Sequence, residues 1–206
     1  RYVVGTMAVV SAFKDGSDAL RANPVLLVAG LLVGIGSQLQ YVGRLIDSPI
    51  LSTGVSLAWL VVFPFVLGGF IGTARAAIEG TNASLTGFFA AAATHYRALL
   101  GGTVAFVLLV FGTVVGLGLA GFVFGIGAMA LATVNEVAAF AVGVGSAVIW
   151  LVSILVVVMF VQFYDTAIVI EKKSVIESLR RSIDLVRSNP KSVVGFSVVW
   201  VVLLNA

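Results

Sequence analysis

Asp165 is the residue of this chain whose type and setting most invite chemistry. It follows Phe163-Tyr164 and precedes Thr166-Ala167-Ile168-Val169-Ile170. An ionisable group at membrane depth is costly and is a functional candidate by default. Gln162 lies about one turn away, and Arg75, His95 and Arg97 are the cations available as partners. A polar cluster of Asp165, Arg75, His95, Arg97 and Gln162 can hold a proton, a cation or a lipid headgroup. The plain alternative is an ion pair between helices at the interface. A histidine can titrate near neutral pH, but His95, alone beside Tyr96 and Arg97, reads as an interfacial side chain. Glu136 reads as a solvated loop charge.

Other chemistries lack their residues. There is no cysteine and a single histidine, which excludes disulfides, thiolate metal sites and a histidine-rich metal centre within the chain. No phosphate-binding loop, nucleophile elbow or zinc motif is found. No catalytic residue, metal or cofactor is therefore assigned. A lipid-modifying enzyme would have to draw on Asp165, Glu79 and His95.

The elements that carry these residues follow from composition. Hydrophobic residues make up 60% of the chain and charged residues 10%, against about 25% charged in a soluble domain. So much apolar surface must face lipid or other membrane helices. Segments of roughly 20 apolar residues, enough to span a bilayer, are expected at residues 24–42, 54–74, 97–132 and 137–170, with a shorter fifth run at 192–206. Pro64 should kink the second. The third and fourth exceed the needed length and must tilt, break or project; Gly112, Gly116, Gly118, Gly121, Gly125 and Gly127 favour a break or close packing in the third. Between the spans, residues 9–23, 84–94 and 171–191 read as amphipathic interfacial helices. In the first, Val9, Val10, Phe13 and Leu20 suit one face, and Lys14, Asp15, Asp18 and Arg21 the other. In the last, Leu179, Ile183 and Val186 recur at helical spacing.

Basic residues orient the chain. Lys14, Arg21, Arg75, Arg97 and the cluster Lys172, Lys173, Arg180, Arg181, Arg187 and Lys191 fall on one side, with Arg44, in the polar loop with Asp47 and Pro49, on the other. The positive-inside bias makes this a multi-pass protein of the cell membrane with its amphipathic helices and basic loops in the cytoplasm. That side argues against use of the glycosylation sequon Asn82-Ala83-Ser84.

An internal repeat is visible. Asp18-Ala19-Leu20-Arg21-Ala22-Asn23-Pro24 aligns with Asp184-Leu185-Val186-Arg187-Ser188-Asn189-Pro190. Asp, Arg, Asn and Pro coincide, and an apolar run follows each. Asn is a good N-cap and Pro suits the first helical position; the arginine can sit among headgroup phosphates. Arg21, Asn23, Pro24, Arg187, Asn189 and Pro190 thus form a headgroup-level insertion signal. A weaker middle copy is read from Phe89 to Arg97, with His95-Tyr96 where Asn-Pro stands in the other two. The expected fold is all-α, a polytopic transmembrane helix bundle in one membrane domain, residues 1–206. Its repeated unit is an interfacial amphipathic helix plus a transmembrane hairpin, at about 9–75, 84–170 and 174–206. The last unit is incomplete, which implies a sixth span and residues beyond both ends.

The Arg-x-Asn-Pro signal and this architecture resemble uncharacterised archaeal and other prokaryotic multi-span membrane families. More distantly, they resemble the membrane domain attached to some glycerophosphodiester phosphodiesterases. The resemblance implies a six-span bundle and carries over no catalytic residue. Valine, alanine and glycine richness with more Arg than Lys fits a GC-rich archaeal or bacterial genome.

The small-xxx-small pairs Gly30/Gly34, Gly68/Gly72, Gly112/Gly116 and Gly121/Gly125 favour close helix approach. The function expected from all this is non-catalytic: an accessory or scaffold subunit, or a lipid-binding membrane domain. Its partners would be membrane lipids (the basic stretch adds roughly 1 kcal/mol per residue near an anionic surface), with a membrane-protein partner or a homo-oligomer and no nucleic acid. The alternative is a small-solute or ion transporter.

Overall fold

The computed structural model describes residues 5–39, 41 and 48–205. Eight helices are defined among the described residues. They are α1 (Gly5–Ala22), α2 (Val25–Leu39), α3 (Pro49–Ile78), α4 (Leu85–Ala132), α5 (Glu136–Val161), α6 (Tyr164–Glu171), α7 (Val175–Ser188) and α8 (Pro190–Asn205). The architecture is all-α. The polar loop read at Arg44 and Asp47, the end of the first span at Gln40 and Val42, and the side chains of Val9 and Val10 lie outside the described residues.

By length and composition, Pro49–Ile78, Leu85–Ala132 and Glu136–Glu171 can each cross a membrane. A fourth crossing is possible if the bent pair α1–α2 counts as one. Their starts have local causes. Ser48 accepts a hydrogen bond from the Leu51 N–H (3.3 Å) ahead of Pro49. Asn135 accepts from the Ala138 N–H (3.0 Å) at the start of α5. Glu136 is an exposed residue of that first turn, where an acid suits the helix dipole.

Two expectations need correction. The interfacial helix at 84–94 does not stand apart: α4 runs 48 residues without interruption, about 72 Å at 1.5 Å per residue. His95-Tyr96 occupies the place of Asn-Pro but removes no backbone donor, so nothing stops the helix. Its glycines do not break it either, because hydrocarbon offers a freed backbone group no other partner. The break falls instead in the fourth span, at Gln162-Phe163. There the Phe163 N–H is taken up by the Ser182 hydroxyl of α7 (3.2 Å).

Two compact units form: one from Arg1–Thr103 with Phe163–Ala206, the other Val104–Gln162, taken over the described residues. In the first, α3 and the start of α4 meet through glycine. A Cβ at Gly68 would lie 2.8 Å from Leu99, one at Gly69 2.7 Å from the Phe88 ring, and one at Gly72 would collide with Ala91. The core here is Phe88, Ala92, Leu99, Ile168 and Val186, with Pro64 also buried inside α3. In the second unit, the rest of α4 and α5 form a hairpin through residues 133–135.

α6 ends in the left-handed conformation at Lys172 (φ 53°). α7 then starts at Ser174, whose N–H and hydroxyl both donate to the Glu177 carboxylate (3.0 and 2.7 Å). These two bonds, aided by the charges of Lys173 and Arg180, hold the Glu177 carboxyl below the usual carboxylate range. A lowered carboxyl pKa contributes stability above the unfolded value and loses it as pH falls through the folded one. Ser174→Ala should therefore move the Glu177 titration midpoint upward, read by NMR of the side-chain carboxyl. An unchanged midpoint would show that the hydroxyl is not what lowers it.

Candidate functional site

The expected cluster is only partly assembled. Arg75, near the end of α3, donates through Nε to Glu79 (2.7 Å) and through Nη1 to the carbonyl of Ile170 (3.0 Å). It thereby joins the end of α3 to the end of α6. Next in sequence, Glu171 accepts from Arg181 Nε on both oxygens (2.9 and 3.1 Å) and pairs with Lys173 (3.3 Å). His95, half-buried on α4, lies within electrostatic reach of Lys172 and Arg75. Arg75, His95 and the Lys172 end of α6 therefore share a neighbourhood.

Asp165 is not among the partners of that neighbourhood. It sits in the first turn of α6, where its Oδ1 accepts from the backbone N–H of Thr166 (2.7 Å) and its hydroxyl (3.3 Å). Among the described residues no ion pair reaches it. An acid here serves the positive end of a short helix, which explains its position without a cationic partner. Gln162 closes the C-terminus of α5. Arg97 is exposed and in no ion pair among the described residues. Glu79 is spent on Arg75, so Asp165, Glu79 and His95 do not form one constellation.

The buried polar side chains serve packing. Thr73 donates to the Gly69 carbonyl (2.8 Å) and Ser178 to that of Val175 (2.7 Å). The hydroxyls of Thr103 and Tyr164 share a bond of 3.0 Å between α4 and α6. Sequence reading missed this pair, which joins residues 61 positions apart. It also missed Ser178 and Ser182, although their spacing of four, like Gly68/Gly72, marks a face fit for close approach.

In the second unit, apolar cavities of about 340 Å³ are lined by Gly121, Phe124, Ser146 and Trp150, with neighbours from the same two helices. The Ser146 hydroxyl in this lining donates to the Val142 carbonyl (2.8 Å). A Cβ added at Gly112, Gly116, Gly121 or Gly125 would meet nothing within 4 Å beyond its own stretch of helix. Their spacing therefore marks open face here, whereas Gly68/Gly72 marks contact.

The insertion signals take a form different from the one expected. Asn23 and Asn189 turn their amides backward rather than forward. Asn23 donates through both its backbone N–H and Nδ2 to the carbonyl of Ala19 (3.0 Å each). Asn189 does the same to Leu185 (3.0 and 3.4 Å). Each side chain closes the C-terminus of the helix before it. The Asn backbone carbonyl accepts from the helix after it, from Leu26 (2.9 Å) and from Val193 (3.1 Å). The result is an elbow, bent by 104° between α1 and α2. The physical reason is that four C-terminal carbonyls lack partners at a helix end, whereas proline, having no N–H, reduces the demand for an N-cap.

Over residues 7–205 the chain matches the model of a domain of unknown function, DUF7847. No curated protein and no solved structure matches. The resemblance to the phosphodiesterase membrane domain and the archaeal affiliation thus gain no support from the comparisons.

Proposed function

The chain belongs to the DUF7847 family, and from that premise we propose that it is a non-catalytic membrane protein. In this reading it acts as an accessory or scaffold subunit, or as a lipid-binding domain, in the cell membrane, with its basic helices in the cytoplasm. One observation carries the reading: the buried hydroxyls of Thr73, Thr103, Ser178 and Ser182 each hold helix to helix or helix to its own backbone. Among the described residues these buried hydroxyls are thus committed to structure, while the charged surface is carried largely by α1, α7 and the ends of α3 and α6. Recognition then falls to that surface, toward anionic lipid or a partner subunit.

The turn at Gln162-Phe163, which interrupts the span Glu136–Glu171 without ending it, favours a second reading, small-solute or ion transport, since discontinuous helices frame many transport sites. Asp165 stands just past that break. Reconstitution into proteoliposomes separates the two. The accessory reading expects neither substrate turnover nor cation or solute flux above that of empty vesicles. Flux that Asp165→Asn abolishes would replace it with transport, and turnover of a lipid substrate would replace it with an enzyme.

A further inference from the structure

The likeness between the two elbows extends outward along their helices. In the register that matches Asn23-Pro24 to Asn189-Pro190, Lys14 meets Arg180, Asp18 meets Asp184 and Arg21 meets Arg187. Each trio is spaced i, i+4, i+7, which places cation, acid and cation in one row on one helix face. All six side chains are exposed. The ion pairs among the described residues are Arg75–Glu79, Lys173–Glu171 and Arg181–Glu171, so the four cations of the two rows remain outside them.

The setting of the rows fixes what they can meet. Arg21 and Arg187 lie three residues before Pro24 and Pro190, about one helical turn from the start of the apolar helix. Where α2 is inserted along the membrane normal, the 104° elbow lays α1 close to the membrane plane. After each elbow comes an exposed apolar strip, Val28 and Leu32 on α2, Val194 and Val198 on α8; these too coincide in the same register. A net-positive row that leads into an apolar helix is complementary to a charged headgroup that leads into an acyl chain. Guanidinium groups suit the phosphate, forming paired charge-assisted hydrogen bonds.

We propose that the cations of the two rows, Lys14 with Arg21 and Arg180 with Arg187, form two matching sites, each holding the phosphodiester of an anionic phospholipid with its chain along the adjoining strip. The proposal deepens the lipid-binding reading and rests on it.

The test uses the full chain, delipidated in mild detergent, with native mass spectrometry counting bound phosphatidylglycerol and phosphatidylcholine. Two phosphatidylglycerol molecules should be retained in preference to phosphatidylcholine. Arg21→Gln and Arg187→Gln should each weaken one of the two by about fivefold, the effect of one basic residue at an anionic surface, and the double variant should weaken both. Arg181→Gln removes the same charge from the Glu171 network and should leave retention unchanged. Millimolar inorganic phosphate should not displace the lipid. Equal retention of the two lipids, displacement by phosphate, or an Arg181→Gln effect as large as that of Arg187→Gln would each overturn the two sites. None of these outcomes produces flux or turnover, so the sites can fail while the non-catalytic reading stands.

Discussion

Phe88→Ala is expected to lower the stability of the folded chain by about 3 kcal/mol, at the low end of the range for large-to-small core changes. Phe88 is 1% exposed. Its ring lies where a Cβ on Gly69 would come within 2.7 Å, and it meets Phe89 edge-on at 5.4 Å between centroids. The low end applies because the unfolded chain in a micelle or bilayer also keeps its phenylalanine in apolar surroundings. The transfer contribution therefore shrinks, while the lost dispersion contacts and the cavity remain. Unfolding by denaturing detergent measures the difference. Phe122→Ala, at a ring 68% exposed, should cost within about 0.5 kcal/mol. Similar losses at both positions would mean that the α3–α4 contact is not closed around Phe88.

Gly102→Val should be nearly as damaging, by about 3 kcal/mol. A Cβ at this position lies 2.7 and 2.8 Å from atoms of the Tyr164 ring and 3.0 Å from Ile168, and the two γ-carbons of valine crowd the same space. Tyr164 cannot swing aside freely: it is buried, its hydroxyl is bonded to Thr103, and it opens α6 directly after the break. Overpacking of this kind costs about 1–3 kcal/mol, and a strained or lost hydrogen bond adds about 1 kcal/mol. Gly116→Val, where an added Cβ would meet nothing within 4 Å beyond its own stretch of helix, is the matched control and should be close to neutral. Tyr164→Leu should recover part of the Gly102→Val loss, because residues in contact are not additive. Equal behaviour of Gly102→Val and Gly116→Val in the same denaturation series would show that α4 and α6 do not touch there.

Apolar run length locates α3, α4 and the α5–α6 span in the sequence, because hydrocarbon leaves a chain little choice but helix. The Asn-Pro pairs likewise mark where α1 and α7 end. What could not be read is which group meets which. Four residues between glycines permit approach without requiring it, so Gly68/Gly72 and Gly112/Gly116 look alike until a partner helix is in place. The contacts of Gly36 with Trp59 and of Gly102 with Tyr164 depend on a large side chain from elsewhere. Asp165 invited pairing with Arg75, but Arg75 is satisfied by a neighbour four residues away and by a backbone carbonyl. The break at Gln162-Phe163 has no glycine or proline to announce it. The backbone N–H at that point is taken up by the hydroxyl of Ser182, 19 positions along the chain.

The elbows carry a consequence for the order in which the chain folds. Their hydrogen bonds join residues at most four apart: Asn23 to Ala19, Leu26 to Asn23, Asn189 to Leu185, Val193 to Asn189. Contacts so local need no loop closure and form in about a microsecond or less. The Thr103–Tyr164 bond, in contrast, must wait until the intervening hairpin has been made and returned. Each amphipathic helix can therefore settle with its corner already set before the helices it will pack against have met. The 104° bend between α1 and α2 is then an early event, and the glycine contacts of the bundle close around it.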